Sequence, residues 1–443
     1  MITSRTAAAR VEGNTTPAFR ALVARLRGPA AIYLLAGILT RVGFIILIPL
    51  YSRKLDAEAY GDYVLAQNAL GLAPALVLGL PAALSLYYFD SPDREVSRRR
   101  VGAVAKMNVM ATLCVVALLE PLILGLVPAS VTGLFSRWSL TCVLIAAAGS
   151  VLALIPVQFF RDSQKPVVAA AFQLAEFVLI VGTGIWFVST LGRGLPGSLE
   201  ALAATYSLLG AASIVFTYGY LGGTLSRGIV KEVLRFSLPY VAHFSALWIQ
   251  SVADRWTMKV AKQGASLGPY ALANQLSTPS TMVVNAWNLE RGPRTGELFR
   301  GGGLAAIRRD MRRMVVSYMV ASAVPSIGII AATPLLRLFI SSSFYSALVY
   351  LPALLLFNFI DALYLPSFLV VYYASKSRWI SVVTTVSAIA SIALSAVFVP
   401  VFGVWGAVAA HGMASLVRTS SIGFAASRCL ALAKAGDEAR QVA

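Results

Sequence analysis

The chain has 443 residues, of which 58% are hydrophobic and only 13% are charged, and its formal net charge is +18. A soluble domain of average composition is about half apolar and about one quarter charged, so this composition excludes a soluble globular protein. The mean hydropathy of +0.75 and the many apolar stretches of about 20 residues, the length that crosses a bilayer as a helix, predict a polytopic membrane protein.

The chain begins with a basic tail at residues 1–29, MITSRTAAARVEGNTTPAFRALVARLRGP. Its Arg- and Ala-rich composition is also compatible with a transit peptide, but a cytoplasmic tail is the preferred interpretation. The tail is too long for the charged region of a secretory signal, and no small-residue cleavage site follows the first apolar run.

Twelve membrane-spanning helices follow the tail, and together they predict an all-α fold. The second of them is expected to bend, because it contains Gly71, Pro74, Gly79 and Pro81. The predicted spans are residues 30–50, 63–89, 101–127, 138–160, 167–190, 198–222, 237–258, 269–290, 314–340, 346–373, 380–400 and 404–427.

Lys and Arg residues are distributed unevenly over the two sides of this topology. The termini and the loops on their side carry 26 of them, whereas the opposite loops carry six. Because cytoplasmic loops are enriched in Lys and Arg, both termini are predicted to be cytoplasmic. The basic excess therefore reflects topology, with attraction to anionic membrane lipids as a secondary effect, and predicts no nucleic-acid partner.

Metal chemistry and enzymatic catalysis receive no support from the sequence. Cys114, Cys142 and Cys429 lie in or beside apolar spans without motif spacing, and His243 and His411 fall in different halves of the chain. No predicted loop is long enough to hold a soluble catalytic domain. We therefore expect no metal site, no cofactor and no enzymatic activity.

Two similar phrases stand in equivalent positions of the two halves. AYGDYVLAQNAL and SLGPYALANQLS align Gly61 with Gly268 and Tyr63 with Tyr270, 207 positions apart. A second, weaker echo follows spans four and ten, 212 positions apart. We expect the two glycines to permit a tight turn into the second helix of each half, and the two tyrosines to anchor that helix at the membrane interface.

The repeat predicts the domain organisation. Because each half has an even number of spans, the two repeats are parallel and related by an axis along the membrane normal, an arrangement that suits alternating access. The predicted segments are a cytoplasmic tail at 1–29, an N-terminal six-helix lobe at 30–222, a linker at 223–236, a C-terminal six-helix lobe at 237–427 and a second cytoplasmic tail at 428–443.

One stretch in each half resembles bacterial polysaccharide exporters. LTRVGFIILIPLYSRKLDAEAYGDYVLA has the arginine of that family inside span one and its Tyr-Gly-x-Tyr turn before span two. DRWTMKVAKQGASLGPYALANQL is similar to the family's Asp-Arg, followed by its Gly-x-Tyr-x-x-Ala entry into span eight. These exporters are the oligosaccharide-lipid flippases of the multidrug/oligosaccharidyl-lipid/polysaccharide (MOP) superfamily. Lys262 and Pro269 depart from the family's commoner small or apolar residues.

The resemblance implies transport of an undecaprenyl-pyrophosphate-linked oligosaccharide from the cytoplasmic to the periplasmic leaflet of the inner membrane, for the biosynthesis of exopolysaccharide, capsule or O-antigen. It implies a V-shaped pair of lobes around a cationic cavity, and polysaccharide polymerase or export machinery as further partners. Coupling to H⁺ or Na⁺ stays open. The alternatives are a multidrug cation antiporter of the same superfamily, a small-solute facilitator and a membrane polymerase or ligase, of which the last is disfavoured by the short outer loops.

Arg41 is the first candidate for contact with such a cargo. It lies about 16 Å into span one at a rise of about 1.5 Å per residue, and a charge at that depth usually faces a cavity or a partner. Its guanidinium is suited to bidentate binding of a pyrophosphate. The structural alternative is an ion pair, for instance with Glu176 or Asp361.

Further polar residues inside the spans form two sets. The first contains candidates for lining the cavity, and interhelical hydrogen bonding is an equally favoured interpretation for them. The second contains candidates for ion coupling or gating. An ion pair near the periplasmic mouth is favoured for Asp254 and Arg255, and pairing of Asp361 with Arg41 or Arg418 is the alternative to a coupling role. The cavity candidates are Gln67, Asn68, His243, Gln250, Asn274, Thr278 and Asn285, and the coupling or gating candidates are Asp254, Arg255, Glu176 and Asp361.

Overall fold

The computed structural model describes residues 43–89, 93–125, 136–301, 304–374 and 377–442. Within these ranges the chain is helical and has no β-strand, which confirms the predicted all-α class. Seven helical stretches of this part are long and apolar enough to cross a membrane. They are Arg94–Leu122, Arg137–Asp162, Pro166–Thr190, Gly194–Leu221, Ala306–Ala331, Ser342–Tyr373 and Arg378–Ala431.

In the N-terminal half, the described residues form six helical segments. Helix α1 covers residues 43–54, and α2 starts as Ala57–Ala69 and continues in shorter pieces to Tyr88. The others are α3 (Arg94–Gly125), α4 (Arg137–Asp162), α5 (Pro166–Gly184) and α6 (Gly194–Phe216), and α5 and α6 end in the π-helical turns Ile185–Thr190 and Thr217–Leu221.

The part of the C-terminal half that the structure describes also forms six long segments. The first four are α7 (Arg227–Val260), α8 (Gly264–Gly301), α9 (Leu304–Ala331) and α10 (Ala347–Ala362, continued by Tyr364–Tyr373). A short helix, Thr333–Phe339, lies between α9 and α10. The stretch Ser377–Val442 is divided at Gly403, with φ 58° and ψ −133°, into α11 (residues 377–402) and α12 (residues 404–442). Because side-chain-bearing residues rarely adopt that conformation, glycine permits the change of direction there.

Several helices begin at a residue that satisfies their free N–H groups. Asp56, Ser136 and Ser226 each accept a hydrogen bond from the backbone N–H three residues later, at 2.8, 3.1 and 3.3 Å. These caps precede α2, α4 and α7. The first-turn N–H groups of a helix have no intrahelical partner, so such caps determine where the chain turns back into the helical bundle.

The second helix is bent, as its sequence predicts. It passes through the 3₁₀ turn Leu70–Leu72, and Leu78 and Gly79 both have positive φ, of 58° and 67°. Pro74 and Pro81 lack the N–H that a continuous helical hydrogen-bond ladder requires. The expected bend in span two is therefore confirmed.

The buried apolar side chains form one large cluster that joins both halves and several smaller clusters. The largest cluster of buried side chains joins both halves where α2 and α8 begin, and includes Leu65 and Leu267. Of the clusters toward the opposite end, one combines the N-terminal half with the first turns of α7 around Val233, and two lie wholly in the C-terminal half. The two halves thus share their most extensive buried contact where α2 and α8 begin, and we call that end the closed end.

Candidate functional site between the two halves

The two repeated phrases contact each other at the closed end, in a surface that we call the seam. Gly268 of α8 lies so close to α2 that a Cβ atom there would stand 1.9 Å from the carbonyl oxygen of Ala57. A Cβ on Gly61 would stand 2.8 Å from the side chain of Leu267. Both glycines lie inside helices and neither has a positive φ. The expected tight turn is therefore wrong, and these glycines instead permit the two helices to approach closely.

The two repeated tyrosines are buried rather than placed at a membrane interface. Tyr63 is 3% exposed and its ring packs edge-on against Tyr51, with 4.8 Å between the ring centroids. Tyr270 is fully buried and its hydroxyl donates a hydrogen bond to the carboxylate of Asp254. The expectation that they anchor helix starts at the interface is therefore wrong, because both side chains belong to the core that joins the halves.

An ion pair crosses the seam. The ammonium of Lys259, near the end of α7, lies 2.7 Å from a carboxylate oxygen of Asp62 in α2 and 3.1 Å from one of Glu58. The side chains of Lys259 and Asp62 are only 7% and 8% exposed. Removing one partner of such a pair leaves an uncompensated buried charge, so this contact helps to hold the two halves together.

Sequence reasoning missed this pair because it placed Lys259 among the residues of an outer loop. The sequence does show two charges at the edges of predicted spans. Asp62 directly precedes span two, and Lys259 directly follows span seven. Each charge needs a partner at that depth. The sequence alone does not indicate which of several distant charges provides it.

Hydrogen bonds of amide, hydroxyl and indole groups continue the seam further along α2 and α8. The hydroxyl of Tyr60 donates to Gln275 Oε1 at 2.6 Å, and Gln275 Nε2 donates to Gln67 Oε1 at 3.0 Å. The indole of Trp248 donates to the carbonyl of Asn68 at 2.7 Å. Two predicted cavity candidates, Gln67 and Asn68, therefore lie at the contact between the halves, and their contacts there are interhelical hydrogen bonds.

A second polar cluster lies inside the C-terminal half, around a cavity of about 120 Å³ between α7, α10 and α12. Arg418 lies 2.5 Å from the carboxylate of Asp361, donates to Gln250 Oε1 at 3.3 Å, and stands 5.1 Å from the centroid of the Tyr364 ring. His411 also lines the cavity. Pairing with Arg418 was one of the two interpretations of Asp361, and the structure contains that pair.

The Asp254–Arg255 pair is buried next to this cluster. The carboxylate of Asp254 is 2% exposed, accepts hydrogen bonds from Tyr270 and Arg255, and lies 3.6 Å from His411 Nδ1. An ion pair was expected at this position, near the periplasmic mouth. The structure contains an ion pair there, buried beside Tyr270 and His411, while the pair that crosses between the halves involves Lys259, about one helical turn further along α7.

The candidates on α8 form a stripe that becomes more accessible away from the closed end. Asn274 and Thr278 are half-buried, whereas Asn285 is exposed. The hydroxyl of Thr278 donates to the carbonyl of Asn274 at 3.2 Å, within its own helix. Exposure therefore increases along α8 away from the closed end, and the cavity role of these residues stays a prediction.

The other candidates are separated from these clusters or undescribed. Glu176 of α5 accepts a hydrogen bond at 3.0 Å from the hydroxyl of Tyr206 in α6, within the N-terminal half. Arg41 and the side chain of His243, a residue of α7, lie outside the part of the chain that the structure describes.

Comparisons with known proteins agree with this architecture. Residues 28–289, more than half of the chain, match the family model described as polysaccharide biosynthesis protein. No curated protein matches the chain.

Three solved structures illustrate the likeness in fold. An inward-facing multidrug resistance MATE family transporter of the MOP superfamily has a TM-score of 0.72 and 13% identity, over 92% of this chain and 97% of that one. An outward-facing transporter of the same description has a TM-score of 0.60 and 15% identity, over 92% and 98%. A MOP superfamily transporter from Pyrococcus furiosus, described as having a binding pocket of reverse polarity, has a TM-score of 0.57 and 16% identity, over 92% and 98%.

Proposed function

Since the chain belongs to the polysaccharide biosynthesis protein family and has the fold of MOP superfamily transporters, we propose that it moves an undecaprenyl-pyrophosphate-linked oligosaccharide from the cytoplasmic to the periplasmic leaflet of the inner membrane. The movement proceeds by alternating access between two six-helix lobes. The product serves the biosynthesis of a surface polysaccharide.

The seam is the observation that carries this proposal. The excess of Lys and Arg on the side of the termini assigns the starts of α2 and α8 to the periplasmic side. The lobes then share their most extensive buried contact on the periplasmic side, away from the cytoplasm where such a cargo is assembled. For the cargo to leave, the Lys259–Asp62 pair and the amide hydrogen bonds beside it must separate.

The polar residues of α8 and span one suit the chemistry of this cargo. A lipid-linked oligosaccharide has an anionic pyrophosphate and a hydrated glycan, which need shielding from hydrocarbon, and an apolar tail that does not. The amides of α8 provide hydrogen-bond partners for a glycan. Arg41 is the candidate for the pyrophosphate, because a guanidinium binds phosphate oxygens bidentately.

A multidrug or cation antiporter is the second candidate function, and the MATE transporters among the similar structures favour it. The Asp361–Arg418 pair and the neighbouring His411 are the groups that H⁺ or Na⁺ coupling would involve. Such coupling is compatible with either cargo. The two functions therefore have to be separated by the substrate.

The test is a lipid extraction from cells that lack this protein, analysed by mass spectrometry. We expect accumulation of polyprenyl-pyrophosphate-linked repeat units and loss of the surface glycan, and both should be reversed by the wild-type gene. The mass of the accumulated lipid also identifies the sugars. An unchanged lipid-linked pool together with intact surface glycan would refute the proposal, and increased drug sensitivity of the same cells would favour the antiporter.

A further inference from the structure

A groove of about 400 Å³ opens on the surface of the C-terminal half between α11 and α12, and we call it the outer groove. Its volume is within the range of ligand pockets, roughly 300–1,000 Å³. It lies on the side of the membrane where α11 begins, which the excess of Lys and Arg assigns to the cytoplasm. The lining residues are Trp379, Val382, Val383 and Val386 of α11 and Ser420, Ser421 and Phe424 of α12.

The outer groove belongs to a lipid-facing surface. Two of its apolar side chains, Val386 and Phe424, are 46% and 54% exposed. The exposed apolar surface of α11 continues beyond the groove to Ile389 and Val397. Both helices belong to the stretch Arg378–Ala431, which is long and apolar enough to span a membrane, and they pack chiefly on α7 and α10 of their own half. A contiguous exposed apolar surface on spanning helices is suited to contact with lipid.

Two arginines stand at the cytoplasmic end of the outer groove, one on each wall. The Arg428 guanidinium lies 5.2 Å from the centroid of the Phe424 ring. Arg378 precedes Val382 by one helical turn, so both residues lie on the same side of α11. Both arginines are exposed, and neither forms an ion pair within the described part of the chain. Because guanidinium groups bind phosphate oxygens, this end of the groove is complementary to a phosphate headgroup.

The groups along the outer groove follow the order of groups in a glycerophospholipid. Ser420 and Ser421 lie about one turn of α12 deeper than Phe424, and Val386 lies about two turns of α11 deeper than Trp379. A phospholipid has a phosphate, then ester carbonyls that accept hydrogen bonds from hydroxyls, then acyl chains. The isoprenoid tail of the proposed cargo has no acceptor below its pyrophosphate. The two serines therefore favour a phospholipid as the occupant.

We propose that the outer groove binds an anionic glycerophospholipid of the cytoplasmic leaflet, with the phosphate at Arg378 and Arg428 and an acyl chain along the valines of α11. Basic pockets between spanning helices on the cytoplasmic side are suited to anionic headgroups. This lipid site is additional to the proposed transport function and does not depend on the identity of the cargo.

The test measures lipid binding to the purified full-length protein by native mass spectrometry. The probes are phosphatidylglycerol, zwitterionic phosphatidylethanolamine and undecaprenyl pyrophosphate. We expect phosphatidylglycerol to bind more tightly than phosphatidylethanolamine, because only phosphatidylglycerol has a net negative charge. Arg378→Gln and Arg428→Gln should each weaken binding of phosphatidylglycerol by about fivefold, the contribution of one cation at an anionic lipid surface. Val386→Trp, which fills the deep end of the groove, should also weaken it although both arginines remain.

Arg94→Gln is the matched control, because Arg94 is an exposed arginine on the same side of the membrane but in the other half. It should leave binding of phosphatidylglycerol unchanged. Equal weakening by Arg94→Gln and Arg428→Gln would reveal a general charge effect and overturn the site. Equal binding of the two phospholipids by the wild type, or unchanged binding in all three groove variants, would also overturn it. If the groove variants weakened undecaprenyl pyrophosphate at least as strongly, the occupant would be the cargo's tail, and the phospholipid site would be wrong.

Discussion

The ammonium of Lys259 lies 2.7 Å from the carboxylate of Asp62, a residue 197 positions away in the other half of the chain. Both side chains are almost fully buried at the seam. Breaking a buried ion pair by removal of one partner costs about 3–5 kcal/mol, because the remaining charge loses both its partner and its solvation. This contact is therefore strong enough to influence the equilibrium between a closed and an open seam.

We expect Lys259→Ala to shift that equilibrium toward the open seam by roughly 3–5 kcal/mol, since opening returns the unpaired Asp62 to water. The measurement is the rate at which a membrane-impermeant maleimide labels Leu267→Cys in a background without the natural cysteines. Leu267 is fully buried at the seam, so labelling requires opening.

The control for this prediction is Lys54→Ala, which removes an exposed lysine near the closed end. It should leave the labelling rate unchanged, and exchanging the charges in Lys259→Asp with Asp62→Lys should restore slow labelling. A Lys259→Ala variant labelled as slowly as the Lys54→Ala control would contradict a role of the pair in holding the seam closed.

Gly268→Ala should destabilise the protein by about 1–3 kcal/mol, the usual cost of overpacking. The new Cβ would stand 1.9 Å from the carbonyl oxygen of Ala57, and a backbone oxygen cannot rotate away. Thermal unfolding of the purified protein measures the effect. Gly182→Ala is the control, because its added Cβ would have no atom within 4 Å apart from the neighbouring backbone of its own helix. A Gly268→Ala variant that melts with the wild type would refute close packing at the seam.

Asp361→Asn should lower stability, because it leaves the half-buried Arg418 without its carboxylate. Adding Arg418→Gln should recover part of the loss, with a coupling energy of roughly 0.5–3 kcal/mol in a double-mutant cycle of thermal unfolding. If the stability losses of the two single variants simply added up in the double variant, the two side chains would not be energetically coupled, and the ion pair would be contradicted. The double variant also separates stability from transport. If it is stable but no longer responds to an H⁺ or Na⁺ gradient in liposomes, the Asp361–Arg418 pair takes part in coupling, whereas an unchanged response makes the pair structural.

Arg41→Ala should abolish or strongly reduce surface glycan. A hydrogen bond to a charged group contributes about 1.5–3 kcal/mol, which corresponds to a loss of cargo affinity of roughly 10- to 100-fold. Arg41→Lys separates charge from bidentate geometry and should give an intermediate phenotype. Surface glycan is measured alongside the amount of protein in the membrane. Full glycan production by the alanine variant at normal protein levels would remove Arg41 from the cargo site.

The features that sequence analysis identified correctly depend on short-range patterns. Apolar length indicates the membrane-spanning helices, and glycines and prolines indicate the bend of α2. The division into two lobes, which rests on the repeat, stays a prediction. The seam was missed because it depends on distances between helices: Gly268 was assigned a turn, although its small size serves an interhelical contact. The partners Lys259 and Asp62 are separated by half the chain, whereas Arg418 was correctly considered for Asp361 because few charges lie at that depth.

The two phrases that build the seam give it nearly two-fold symmetry, as in a dimer of identical subunits, where every contact occurs twice. At the offset of 207 positions, however, the residues equivalent to Lys259 and Asp62 are Ser52 and Pro269, and neither carries a charge. The backbone of the seam follows the symmetry while its electrostatics does not. The two pseudo-equivalent sides of the seam therefore differ. The side where α2 meets α7 has this ion pair, which must break before the halves separate.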